Sequence, residues 1–432
     1  MTCLLLGGGL FVLCAVPLGR RAEVPAPQSW NGRAVFHAEG TGPLLAGAAK
    51  VKLPVPPGAP LAGYATPFGR SWDGEGEPLY ARAVVIEAGG LRISLLALDL
   101  LLIPAGLEAE IFRRASLPAQ ACALIAATHT HSGVGGTWDS AIGAALGNGR
   151  FDPASSGAIA QAGADAIMQA AGALGPVGVT AAQTAFDRGP ARPRSGDAID
   201  PTLTTIRFDG GREGRPIATV AIYGMHPTVL GRKSRRLSGE WPAAAARALE
   251  WAGGVGLVFQ GAGGNATWTR SGEAEPTAIQ RLGEEVAAAA ILAQATRPLP
   301  TLNGTAGAQT LTCETRLVPL PPAQASPAVP WLLRRAASNL LSLAHLEVVP
   351  QVTIGLGPLT LLGVPGEPVG PLGVSARARA KGPLAVIGLA DGYVGYIETA
   401  AQAGQTGGET ARTNFGPSLA ARLGLERPQA AP

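Results

Sequence analysis

Apolar and polar positions along this chain follow two periods, and the switches between them mark out the elements. Short aliphatic runs closed by glycine, proline or a polar pair predict strands at 82–87 and 91–98, joined as a hairpin through Gly89-Gly90. Similar runs predict strands at 121–127, 202–208, 217–223, 255–260, 305–318, 352–354, 359–364 and 384–389. Helical spacing, often opened by a proline, predicts helices at 104–115, 153–174, 242–251, 276–295 and 331–345. Strands and helices alternate imperfectly. The expected class is therefore α/β, a mixed β-sheet sandwich with flanking helices rather than a strictly doubly wound sheet.

Composition narrows this picture. Of 432 residues, 47% are hydrophobic and 15% charged, which supplies a large core and excludes general disorder. The 60 glycines and 37 prolines fall between apolar runs and read as turn punctuation. A net charge of +4 from scattered arginines, without interleaved aromatics, argues against nucleic acid as a partner. Residues 4–18 are an apolar stretch of signal-peptide length, so 1–21 are expected to be a signal peptide or membrane anchor. The protein is then exported: periplasmic, secreted or membrane-tethered. Residues 22–43, rich in proline, glycine and alanine, read as a linker, and 44–432 as the folded domain. Beyond the leader only Cys122 and Cys313 remain, and their expected role is burial as small apolar residues.

The candidate chemistry sits where predicted strands end. Thr128-His-Thr-His-Ser-Gly133 follows the apolar run 121–127, and its two histidines, His129 and His131, share strand parity and project to one side. His226 ends the run 217–223 through Gly224-Met-His-Pro-Thr228. Three of the five histidines at strand ends point to a metal, since neutral imidazole is a leading zinc ligand. His-Glu-x-x-His and Cys-x-x-Cys are absent, so such a site must be assembled from distant segments.

Three more motifs follow strand candidates: Gln260-Gly-Ala-Gly-Gly-Asn-Ala-Thr267, Val364-Pro-Gly-Glu-Pro368 and Gly388-Leu-Ala-Asp-Gly-Tyr-Val-Gly-Tyr396. Together with the two histidine motifs, in this order, they resemble the catalytic domain of the neutral/alkaline ceramidases, from about residue 44 to the end of the chain. The resemblance implies a zinc amidase that cleaves the N-acyl bond of ceramide to a sphingoid base and a fatty acid. It implies zinc ligands His129, His226, Glu367 and Tyr396 at the C-terminal ends of strands. His131 then stabilises an oxyanion or shuttles a proton. Thr267 stands where the family has a serine, keeping a hydroxyl but adding a β-methyl, and Asn265 stands where it has an acid. The family's arginine maps onto Arg192, with Arg194 as the alternative.

Gly407-Gly408-x-Thr410 survives from the family, whereas Gln405-Thr406 replaces its Tyr-Glu. Longer members carry an immunoglobulin-like C-terminal domain; here only a short helix-like segment is expected after Pro417. Membrane contact would then fall to the leader or to the basic run Arg232-Lys-Ser-Arg-Arg236, which either meets anionic headgroups or is a solvated loop. Two rival functions stand beside a ceramide-like lipid substrate. One is a zinc hydrolase of another N-acyl amide or an ester, the other a non-catalytic lipid- or glycan-binding relative.

Overall fold

In this computed structural model the described residues are 34–427, apart from 65–69, 74–76, 118–120, 141–142, 195–196, 211–213, 300–307, 326–328, 345–346, 404, 406–408 and 410–412. The expected leader lies outside them. The first half of the chain forms β1 (Ala34–Gly42), β2 (Leu45–Lys52), β3 (Pro60–Leu61), β4 (Arg70–Ser71), β5 (Tyr80–Ala88), β6 (Leu91–Leu98), α1 (Ala105–Ala115), β7 (Ala121–Ala127), α2 (Pro153–Gly172), β8 (Gly175–Ala185), β9 (Ala191–Pro193) and β10 (Thr202–Gly210). The second half adds β11 (Arg215–Tyr223), α3 (Glu240–Glu250), β12 (Val255–Gln260), β13 (Ala266–Trp268), α4 (Glu275–Thr296), β14 (Gln309–Pro319), α5 (Trp331–Ala344), β15 (Val348–Leu356), β16 (Leu359–Val364), β17 (Glu367–Pro368), α6 (Gly370–Arg379), β18 (Leu384–Gly388), β19 (Tyr396–Ile397) and α7 (Leu419–Arg422).

Two sheets face each other. One has eight strands in the order β12-β11-β10-β8-β2-β5-β6-β7, the other five in the order β1-β14-β15-β16-β18. Between them lies an apolar layer in which Leu95, Leu124, Phe208 and Phe259 of the larger sheet belong to one core with Leu311, Ile354, Leu361 and Ile387 of the smaller. Helices α1 and α2 cover one half of the larger sheet's outer face through Ile111, Ile159 and Ile167. Helices α3 and α4 cover the other half through Trp241, Leu249, Leu282 and Val286. Helices α6 and α7 pack outside the smaller sheet through Leu372 and Leu419. This is the mixed sandwich with flanking helices that the periodicities predict.

The topology also explains where polar side chains can collect. Most neighbours are antiparallel, but β6–β7, β11–β12 and β16–β18 are parallel pairs, each reached through a helical crossover (α1, α3 and α6 respectively). Loops leaving β7, β11, β12, β16 and β18 therefore need no hairpin turn and are free to carry function, as in open α/β sheets generally.

Two parts differ from the sequence expectation. The last residues of the expected linker form β1, paired with β14 along 34–42. Phe36 and Ala38 pack on the inter-sheet core while His37 and Glu39 face outward, a period-2 pattern only four residues long and so faint in sequence. Cys122 and Cys313 are not separate thiols but a disulfide joining β7 to β14 across the two sheets, with Cα atoms 6.4 Å apart. Period-2 parity turns both residues into the inter-sheet layer, a juxtaposition that exists only once the sheets are stacked.

A candidate metal centre at the strand ends

Each expected ligand is presented by a different loop. His129 follows β7 with φ +67°, a left-handed conformation that costs a non-glycine residue about 1–2 kcal/mol. Leu389 (φ +58°), Asp391 (φ +56°) and Glu240 (φ +51°) share that conformation, and Leu389 lines the same small cavity as His129, His226 and Glu367. Strain of this kind persists only where surroundings impose it, and it gathers at functional sites. Here the imposing contacts are visible. Asp391 Oδ1 accepts from the Ile125 amide at 2.8 Å and the Ala127 amide donates to Leu389 at 3.2 Å, so the loop after β18 is laced to the end of β7.

The side chains converge. His226 Nε2 lies 3.0 Å from Glu367 Oε2 and 3.0 Å from the Tyr396 hydroxyl, and His129 Nε2 lies 3.1 Å from the same Glu367 oxygen. Strands β17 and β19 pair Glu367 directly opposite Tyr396. His131 Nε2 is 3.4 Å from His129 Nε2, and ligand atoms of His129, His131 and His226 all fall within 4.8 Å of one another, a group that could hold a metal ion.

Proton positions follow from the outer contacts. His129 Nδ1 sits 2.7 Å from the Leu101 carbonyl, and His226 Nδ1 sits 3.0 and 3.1 Å from the carbonyls of Gly263 and Ala266. A carbonyl only accepts, so both Nδ1 atoms donate, and both Nε2 atoms are turned toward Glu367. Burial, then the charge of Arg194, depresses His226 to about 3, leaving it uncharged at neutral pH. Burial and the neighbouring His129 and His226 likewise hold His131 well below its ordinary value. Burial pushes Glu367 up, but the His129 and His226 contacts outweigh it and keep the carboxyl ionised. Both Nε2 atoms thus lie 3.0–3.1 Å from one carboxylate oxygen. A cation placed among them would be held by all three groups.

Several supports are invisible in the sequence. Gln260, the last residue of β12, donates to the Thr128 carbonyl at 3.0 Å and accepts from the Met225 amide at 3.1 Å, tying both histidine loops to one side chain. Tyr393 donates to Glu367 Oε1 at 2.7 Å, orienting the oxygen pair so that Oε2 faces the histidines. Glu240, fully buried, accepts from the Val229 amide at 2.5 Å and from Ser132 Oγ at 3.3 Å, joining the segments just beyond His226 and His131. Arg70 donates to the His131 carbonyl at 2.5 Å and to Ser234 at 2.9 Å. Gly63, at φ +120°, allows that packing: a Cβ there would lie 2.4 Å from the His131 Cα.

The remaining expectations divide. Thr267 is half-buried on β13, one residue past the Ala266 carbonyl that fixes His226. Arg192 sits opposite Thr267 in the β9–β13 register but is exposed, and it donates to the neighbouring Pro193 carbonyl. Arg194 instead reaches the site, donating to the Tyr396 hydroxyl at 3.1 Å and pairing with Glu409 at 3.2 Å. Strand β9 ends at Pro193, so parity no longer governs where Arg194 points. Asn265 carries no missing charge: its amide donates to the Ala198 carbonyl and accepts from the Gly370 amide, a pairing that a carboxylate could not make. Gly407, Gly408 and Thr410 lie outside the described residues.

Comparison with known proteins agrees with the motifs. Residues 55–258 match the family described as neutral/alkaline non-lysosomal ceramidase, N-terminal. Among solved structures, a ceramidase complexed with C2 superposes with a TM-score of 0.74 at 21% identity, over 88% of this chain and 74% of that one. The neutral ceramidase from Pseudomonas aeruginosa superposes with a TM-score of 0.71 at 20% identity, over 88% and 73%. No curated protein matches. The matched family is the one that the sequence motifs resemble, and the fold of these two ceramidases is the fold of this chain.

Proposed function

We propose that this chain is a zinc-dependent amidohydrolase that adds water across the N-acyl bond of ceramide or a ceramide-like lipid, releasing a sphingoid base and a fatty acid. The observation that carries this reading is the meeting of the Nε2 atoms of His129 and His226 with one Glu367 oxygen and the Tyr396 hydroxyl in a buried pocket. This donor set of two imidazoles and a carboxylate fits zinc. His129, His226, Glu367 and Tyr396 would hold it, and it would supply electrophilic activation of the acyl carbonyl and of water.

The chain's own groups provide the rest. Burial and the Glu367 charge push the Tyr396 phenol up, so its oxygen needs the nearby Arg194 guanidinium, and a cation, to carry negative charge. His131 is uncharged and its buried Nδ1 has no hydrogen-bond partner among the described residues, so the ring would accept a proton from the attacking water and pass it to the departing amine. Thr267, beside the His226 carbonyl anchor, supports the site rather than replacing water as nucleophile. Export is proposed as well, and the Cys122–Cys313 disulfide supports it, because such bonds persist in oxidising compartments.

The test is metal analysis of the purified chain followed by turnover of a fluorescent N-acyl-sphingosine, with an N-acyl amino acid and a fatty-acid ester in parallel. Preferential ceramide hydrolysis that a chelator abolishes supports the reading. Faster turnover of either alternative favours the second reading, another amide or ester substrate, to which the threonine at 267 lends weight. Metal binding without any turnover leaves a non-catalytic relative.

A further inference from the structure

Among the described residues, helix α5 carries the most exposed apolar run. Trp331, Leu332 and Leu333 are 75%, 65% and 41% exposed, and among the described residues no other three adjacent large apolar side chains are open to solvent. Single exposed apolar residues need no explanation; a contiguous patch does. Two arginines follow at once. Arg334 and Arg335 lie three and four positions beyond Trp331, so all three share one helical face. The helix is anchored further along: Ala336 is buried, Leu341 packs on the core beneath α6 and α7, and Ser338 Oγ accepts from the Ala325 amide at 2.9 Å.

That anchor leads back to the metal centre. Gln324 donates to the Asn414 carbonyl at 2.8 Å, Ala323 bridges Phe415, and Thr413 bridges Tyr396. The exposed end of α5 is thus tied through one short segment to the strand that carries Tyr396. Arg334 Nε donates to the Val329 carbonyl at 2.7 Å, and at the other basic candidate Arg235 pairs with Asp73 at 3.1 Å and donates to Ser71. Among the described residues no helix is long and apolar enough to cross a membrane.

We infer that the N-terminal turn of α5 is a docking element for an anionic lipid surface, with Trp331, Leu332 and Leu333 entering the interfacial zone and Arg334 and Arg335 meeting the phosphate headgroups. Tryptophan suits that zone because it presents an apolar body with a polar N–H, and a basic residue beside it complements negative surface potential. The inference deepens the proposed function, from which it takes the lipid partner, but is read out without any turnover.

The experiment is hydrogen exchange on the full chain with and without phosphatidylglycerol vesicles, paired with vesicle co-sedimentation. Peptides spanning 331–339 should gain protection with phosphatidylglycerol and much less with phosphatidylcholine. Arg334→Gln with Arg335→Gln should lower partitioning at this helix roughly 30-fold, from about five-fold per arginine. Trp331→Ser with Leu332→Ser should abolish the protection with the melting temperature unchanged. Co-sedimentation without protection of 331–339 would assign binding to another segment, such as the leader, and overturn the inference. So would protection equal on neutral lipid, no co-sedimentation at all, or protection that rises with protein concentration in the absence of vesicles, which would mark a contact between two copies.

Discussion

Removing the Cys122–Cys313 bond should destabilise the fold more than most single side-chain truncations. The bridge closes a loop of 191 residues, and the chain-entropy relation for a loop that long gives about 5 kcal/mol at room temperature. Native-state adjustment usually takes some of that back, so a loss of about 3–5 kcal/mol is expected on reduction alone. The double variant Cys122→Ala with Cys313→Ala removes the same link and two buried sulfur atoms, adding about 1 kcal/mol for the space left in the inter-sheet core. Urea unfolding followed by tryptophan fluorescence, with the wild type oxidised and reduced and with the double variant, separates the two contributions. Because the bond ties the strand that ends at His129 to the sheet that ends at Glu367, reduction should also weaken metal binding. A reduced protein within about 1 kcal/mol of the oxidised one, with mass spectrometry confirming both redox states, would refute the claim that the link holds the sheets together.

Three further outcomes are expected. Glu240→Ala strands the Val229 amide and the Ser132 hydroxyl in the interior, so melting should show a loss of about 2–4 kcal/mol, and zinc affinity should fall although Glu240 touches no ligand. Arg194→Met should lower kcat/KM roughly ten-fold or more through Tyr396, whereas Arg192→Met should leave it near wild type; equal effects of the two would contradict the placement of Arg194. With the metal chelated, stability should fall as pH drops from about 6.5 toward 3. His226 carries a depressed pKa of about 3 against its ordinary 6.5, so the unfolded chain binds the extra proton across that window, worth roughly 4–5 kcal/mol at its lower end. Denaturation midpoints that stay flat over that range would show that His226 is not held neutral by the fold.

What could be read in the sequence follows from which side chains advertise themselves. The run 121–127 is continuous and aliphatic, so β7 was visible, and with it the position of His129 at a strand end. By contrast β8, Gly-Pro-Val-Gly-Val-Thr-Ala-Ala-Gln-Thr-Ala, is built mostly of small residues whose burial depends on a neighbouring sheet, and β1 alternates for only a few residues before Gly-Thr-Gly, so periodicity says little about either. The four converging side chains were legible through motif order. Gln260, Tyr393 and Glu240 were not singled out, because their roles lie in partners between 11 and 132 residues away. The glutamine and the tyrosine stood inside quoted motifs, and that position at a strand end was the one available signal. Arg194 was displaced by its neighbour because two arginines two residues apart look alike until the strand between them ends.

The central claim is that His129, His226, Glu367 and Tyr396 form one metal centre. Isothermal titration of zinc into the chelated full chain near pH 7.5 tests it most directly. The account predicts one equivalent bound, with affinity lowered at least 100-fold in Glu367→Gln and in His226→Ala, since each removes a ligand from the point where Glu367 Oε2 meets both Nε2 atoms at 3.0–3.1 Å. No binding to the wild type, or binding that either variant leaves unchanged, would contradict it.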